Sequence, residues 1–286
     1  MRQIAQDTYV ETGYRGVNVG FVVTGEGVIL VDTPMIPTEA RRWREVITQV
    51  TDQEIAYVIN TDYRRERILG NQFFSAPVVA HELAWEKMKD YDEAFRQQVI
   101  ASFRDEPEVA AELTALRIVA PQVTFTDRMT IYRGGKTIQL IHIGGPTPAT
   151  SLVYIPEEGV LFAGDVVVNG MHPFMEEADS KQWLRALNYV RRPWIRAEII
   201  VPGRGEVCGK EDTYKLSEYI RHLRSRVRSL YRAGWNKAEV TALITETMDI
   251  FPVADEEKEQ VKRQLKANVE RLCEEIKAKR LSGTAS

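Results

Sequence analysis

The chain has 286 residues, 44% of them hydrophobic and 28% charged, the make-up of an ordinary globular protein with one large domain or a domain plus an appendage. A formal net charge of −3 and a pI near 6.0 remove any bulk electrostatic case for nucleic acid or an anionic membrane surface as partner. Two cysteines, Cys208 and Cys273, are too few for a disulfide framework, and the opening residues carry no apolar leader segment. No stretch approaches the roughly 20 apolar residues of a membrane span. The expected location is therefore cytoplasmic, with both thiols reduced.

The β-branched runs Val19–Val23 and Val28–Val31 flank the turn Thr24-Gly25-Glu26-Gly27 and predict two strands. Pro37-Thr38 opens a helix, with Thr38 as the expected N-cap and Trp43, Val46, Ile47 and Val50 on one face. The segment IAYVINT reads as a buried strand that runs into the charged stretch DYRRER. APVVAHE is another short strand, leading into a helical region from about Leu83 to Leu116. QVTFTD, MTIYRG and TIQLIHIG are further strand candidates. After the turn-like GGPTPATS, the segment SLVYIPEEGVLFAGDVVV predicts a hairpin around Pro156-Glu157-Glu158-Gly159. SKQWLRALNYVRR is a helix, and AEIIVPGRGEV a strand ending in a glycine-rich loop.

From Lys210 onward the pattern is helical. Leu216, Ile220, Leu223, Val227 and Leu230 recur on one face, Gly234 is a C′ stop, and Asn236 with Glu239 forms a capping-box pattern. Val261, Leu265, Val269, Leu272 and Ile276 make a second stripe, and Leu281–Ser286 reads as a frayed tail. Hairpins followed by strand–helix alternation, once in each half, predict an α+β protein: a four-layer αββα sandwich over residues 1–209, with a C-terminal helical extension over 210–286 packed on it. A homodimer contact through these helices is the sharper reading of their apolar and arginine-bearing faces.

The order of NVGFVVTGEGVILVDTP, YVINTDYRRERILGN, GGPTPATSLVYIPEEGVLFAGDVVVNG and IIVPGRGEV resembles the metallo-β-lactamase superfamily, across about Ile4 to Val207. Asp32 in VDTP, Gly70-Asn71, Gly164-Asp165 and Pro202-Gly203 carry the likeness, which implies the same αββα fold. The resemblance also implies a His-x-His-x-Asp-His motif whose side chains bind two metal ions, usually zinc, that activate a hydroxide. The matching positions here are Asp62, Arg64, Glu66 and Arg67. Pro146 stands where a further ligand histidine precedes Thr147-Pro148, and Arg204 where the last one lies; only the bridging aspartate, Asp165, is kept. None of the four histidines, His81, His142, His172 and His222, falls on a motif position. Arginine offers a metal no lone pair, so the two-zinc site is absent and no cofactor or metal is expected.

At the motif-matching positions Asp62, Glu66 and Asp165 give −3, and Arg64, Arg67 and Arg204 give +3. If the fold is kept these side chains converge, and the expectation is a closed ionic network in place of the metals. Arg65, between the motif positions, is expected to reach solvent or the pocket mouth, and the plain reading of the whole stretch is a solvated, charge-rich loop. The functional expectation is a non-metal relative that binds a small anionic ligand or serves a partner. The alternative is a thioester, lactone or phosphoester hydrolase with altered chemistry. In that case Asp62, Glu66 and Asp165 would hold one hard cation such as Mg²⁺ or Mn²⁺, or a carboxylate would act as general base. Asp165 and His172 are then the acid–base candidates, with Tyr63 and Thr147 as hydrogen-bond donors.

Overall fold

The computed structural model describes residues 1–281; the expected frayed tail lies outside them from Ser282 onward. Strands β1 (Arg2–Ala5), β2 (Thr8–Glu11), β3 (Val19–Thr24) and β4 (Gly27–Val31) form an antiparallel run. Helix α1 (Pro37–Val50) then crosses to the parallel strand β5 (Ile55–Ile59). Helix α2 (Arg65–Ile68) and a 3₁₀ turn (Leu69–Phe73) lead to β6 (Val78–His81). Helices α3 (Glu82–Met88), α4 (Glu93–Ala101) and α5 (Pro107–Leu113) precede β7 (Val123–Phe125), and the seven strands pair in chain order.

The second sheet comprises β8 (Arg128–Arg133), β9 (Lys136–His142), β10 (Ser151–Ile155), β11 (Val160–Val168) and, after α6 (Ser180–Val190), β12 (Ile199–Arg204). Its order is β12-β11-β10-β9-β8, with β11 and β12 parallel. Helices α7 (Thr213–Arg232), α8 (Lys237–Met248) and α9 (Lys258–Leu281) complete the chain.

Strands β4 and β11 are buried at every position because both faces are covered, which is why they read as continuous apolar runs. Edge strand β8 alternates exposed and half-buried residues. Between the sheets, Val22, Ile29, Ile59 and Val79 meet Ile138, Leu140, Val153 and Phe162. Trp43 and Ile47 of α1 cover the outer face of the first sheet. Trp183 of α6, with Leu216, Ile220 and Leu223 of α7 and Val269 and Leu272 of α9, covers the second. The layers are α, β, β, α.

Two local expectations change. Thr38 does not cap α1: Ile36 holds the cap position, Pro37 supplies the first turn with its preset φ, and the Thr38 hydroxyl donates to Glu112 instead. The helical region from Leu83 to Leu116 is three short helices, interrupted where Asp92 caps α4 through Phe95 N–H and where Pro107 starts α5. Gly234, at φ 100°, takes the left-handed position after α7, and Asn236 caps α8 through Ala238 N–H.

Candidate functional site

The site forms where the parallel strands of both sheets end, the position at which open α/β sheets place their ligands. Asp32 follows β4, Asp62 follows β5, Asp165 lies within β11 and Arg204 ends β12. Asp32 adopts φ +56°, uncommon for a side chain other than glycine. This turn lets its carboxylate accept from Thr61 N–H at 2.8 Å and Thr61 Oγ1 at 2.7 Å.

Arg67 is 1% exposed and sits at the centre. Its Nη1 donates to Asp32 Oδ2 at 2.8 Å, its Nη2 donates to Asp165 Oδ1 at 2.5 Å, and its Nε lies 3.6 Å from Asp62 Oδ1. The Arg67 carbonyl is fixed as firmly, accepting from Thr33 N–H, Thr33 Oγ1 and Asn60 Nδ2. Asp165 also accepts from Arg64 Nη1 at 2.5 Å and from Arg204 Nη2 at 2.8 Å. A Cβ at Gly203 would lie 2.3 Å from Asp165 Oδ1 and 2.4 Å from Arg67 Nη2, so glycine alone leaves room for this pair.

The ionisation follows from these contacts. Burial would raise the Asp165 carboxyl, but Arg204, Arg67 and Arg64 outweigh it and hold the group well below the usual carboxylate range. Burial raises Asp62 to about 6, with Arg67 and Arg64 offsetting part of the rise and Asp165 adding to it. Asp62 Oδ2 is sealed and accepts no hydrogen bond. Burial also raises Asp32, against the pull of Arg67.

Glu66 stands apart from this cluster. It pairs with Arg65 at 2.9 Å toward the cavity mouth, where Arg65 also donates to Ser102, and Asp32 is the third buried carboxylate in its stead. Thr147 is buried, and its backbone N–H and hydroxyl both engage the Thr150 hydroxyl. Tyr63 lines the cavity, and its carbonyl accepts from the Tyr91 hydroxyl. His172 lies on the cavity wall, yet its Nδ1 meets the Tyr219 hydroxyl at 3.2 Å and its ring packs edge-on against Phe251. Burial lowers its pKa, which favours the neutral imidazole.

Above the ion pairs opens a cavity of about 1070 Å³, bounded by Tyr14, Phe95, Phe103, Phe174 and, from α9, Val261 and Gln264. Sequence reasoning missed this aromatic wall and the role of α9, because their residues come together from segments far apart in the chain. Gln264 donates to the carbonyls of His172 and Pro173, while Asn268 donates to Pro173 and accepts from Met175 N–H. These bonds fix the loop that places Phe174 over the Arg204 guanidinium, 4.2 Å from ring centroid to Cζ.

The metallo-beta-lactamase superfamily profile matches residues 72–204, beginning directly after the arginine-bearing stretch. That match agrees with the two-sheet topology. Over these residues the chain is similar to the metallo-beta-lactamase superfamily. A metallo-beta-lactamase type 2 from Bacteroides fragilis is 28% identical over 95 residues, 32% of this chain and 38% of that protein. A linear primary-alkylsulfatase from a Pseudomonas species is 21% identical over 238 residues, 72% of this chain and 44% of that protein. The chain thus spans less than half the length of either of these relatives. The solved structure of a stereoselective inverting sec-alkylsulfatase from Pseudomonas superposes with a TM-score of 0.72 at 14% identity, covering 96% of this chain and 49% of that one. At that identity the likeness is one of fold.

The dimetal centre of this superfamily does not fit the residues present. Guanidiniums of Arg64, Arg67 and Arg204 surround the retained Asp165 and present only N–H donors. A dication there would face three fixed positive charges. Among the described residues no group of three or more His, Cys, Asp or Glu side chains is arranged to hold a metal ion. No helix among them is long and apolar enough to cross a membrane.

Proposed function

We propose that this chain is a metal-independent, non-hydrolytic ligand-binding protein whose cleft takes an organic anion. The observation that carries the reading is Asp165, both of whose oxygens are taken by arginines. A metal-activated water needs open coordination at this carboxylate. Here that coordination is replaced by permanent charge. The closed network leaves a neutral floor, since Arg64, Arg67 and Arg204 balance Asp32, Asp62 and Asp165, and binding rather than bond cleavage is the chemistry left to the cavity. On this reading residues 210–286 are an extension of the 1–209 domain that contributes α9 to the cavity wall.

The test is a release assay on the full chain with a β-lactam, a thioester, a lactone, a phosphodiester and an alkyl sulfate, with and without added zinc or manganese. No product above the blank is expected. Turnover of any of these that follows the protein peak through two chromatographic steps would overturn the proposal.

A further inference from the structure

The ion pairs leave one donor over. Arg204 is 7% exposed; its Nε and Nη2 face Asp165 and one face of its guanidinium lies over Phe174. Nη1 has no hydrogen-bond partner among the described residues, and it is not one of the sealed polar atoms. Arg204 lines the cavity beside Arg64, so this N–H group is offered to whatever enters. A charged donor held by burial and by two bonds to a carboxylate suits one oxyanion oxygen.

The rest of the cavity limits the body that this oxyanion carries. Tyr91 and Phe95 stack with centroids 3.8 Å apart, and Tyr14 and Phe103 line the same space. A volume of about 1070 Å³ is at the upper end of drug-sized sites, far more than an inorganic ion fills. The mouth has the opposite sign to Arg204. Glu106, Glu176, Glu177, Glu256 and Glu257 are exposed there, and only Glu106 has a close arginine partner, Arg15 at 2.7 Å. Lys87 lies 3.9 Å from Glu177. An acidic entrance disfavours multiply charged anions more steeply than singly charged ones, because the repulsion scales with ligand charge.

We propose that the cavity binds a singly charged amphiphile, with a carboxylate or sulfonate oxygen on Arg204 Nη1 and a drug-sized apolar body on the aromatic wall, and that it turns polyanions away. This rests on the metal-independent reading above and names the ligand class of the same cleft.

Anilinonaphthalene sulfonate and its uncharged analogue phenylnaphthylamine form a matched fluorescent pair for titration of the full chain near neutral pH. The sulfonate is expected to bind one saturable site at least about tenfold more tightly than the uncharged probe, the scale of one charge-assisted hydrogen bond. Decanoate and decyl sulfonate should each displace it, and their relative potency distinguishes a carboxylate from a sulfonate head. ATP should not displace it. Arg204→Lys keeps a cation against Asp165 but removes Nη1, and should weaken the sulfonate about tenfold while leaving the uncharged probe unchanged. Phe103→Ala, outside the ion-pair network, should weaken both probes.

Equal affinity for the two probes, displacement by ATP as effective as by decanoate, or sulfonate binding unchanged in Arg204→Lys or in Phe103→Ala would each overturn the proposal. The two readings fail separately. Product in the release assays would sink the non-hydrolytic reading and leave the ligand class standing, whereas absent or charge-blind probe binding would sink the anionic ligand class and leave only the non-hydrolytic part of that reading standing.

Discussion

Asp62→Asn should make the protein more stable at neutral pH, although it removes a charge from a buried ion cluster. Asp62 Oδ1 accepts the Arg64 N–H at 2.8 Å, but it lies 3.6 Å from Arg67 Nε and Oδ2 has no partner. A carboxyl raised from 3.8 to about 6 is more costly to ionise in the fold than in the unfolded chain. At about 1.4 kcal/mol per pH unit, the charged form costs about 3 kcal/mol above pH 6. Asparagine keeps an oxygen for Arg64 N–H and stands in for the neutral acid. Its amide group inherits the unpartnered position, which takes back about 1 kcal/mol. The expected net gain is about 2 kcal/mol.

The sign follows from proton binding. A raised folded pKa means that the native state binds the proton more tightly, so the contribution of Asp62 is most favourable below about pH 4 and declines as pH rises from 3.8 through about 6. Urea denaturation of wild type and Asp62→Asn across this range isolates the group, because other titrations cancel in the difference. The stability difference should grow with pH and level off above about 6, with the variant ahead by several degrees in Tm. A variant that is less stable than wild type at neutral pH, or a difference independent of pH, would refute the reasoning.

Asp165→Asn should have the opposite effect, costing about 3–5 kcal/mol, because three buried guanidiniums lose their shared counter-charge; loss of the cooperative urea transition would register it. Gly203→Ala forces a Cβ into the Asp165–Arg67 pair and should cost about 3 kcal/mol or more by the same measurement. Chelator treatment followed by zinc should leave Tm unchanged, since a ligand stabilises only through preferential binding to the fold. His81 accepts from Leu83 N–H through Nδ1 while its Nε2 meets Thr126 O at 2.6 Å, a pattern that requires the neutral ring. Burial, reinforced by His142, lowers its pKa against the Thr126 carbonyl, so its contribution is intact above about 6.5 and is lost on acidification; His81→Gln should remove that part of the pH slope.

The sandwich was legible because buried strands such as GVILV and VLFAGDVVV announce themselves by composition, and because turns and caps are local chemistry. Side-chain direction at the site was less so. Its match to the motif position puts Glu66 among the charges that should converge, but α2 is a single helical turn. Rotation by one residue sends Arg67 inward to Asp32, Asp62 and Asp165 and leaves Glu66 beside Arg65 at the mouth. Asp32 joins through a left-handed backbone turn that no composition rule reveals. His172 looked available on its loop, but Tyr219 and Phe251, remote in sequence, pack against it.

The replacement of metal by arginine also changes what the C-terminal helices can do. A metal ion is held by its own ligands, whereas a guanidinium must be oriented by its surroundings before its donors have a direction. For Arg204 that surrounding is Phe174, and Phe174 is held in place by Asn268 and Gln264 reaching from α9 to the backbone of residues 172–175. Arg64 donates to the Phe174 carbonyl at 3.5 Å as well, so both arginines on the cavity side depend on one loop. Asn268→Ala should therefore weaken anilinonaphthalene sulfonate more than phenylnaphthylamine, by disordering the charged end of the site rather than its apolar wall. An Asn268→Ala protein that folds and loses affinity for both probes equally would show that α9 supports the cavity only as a wall.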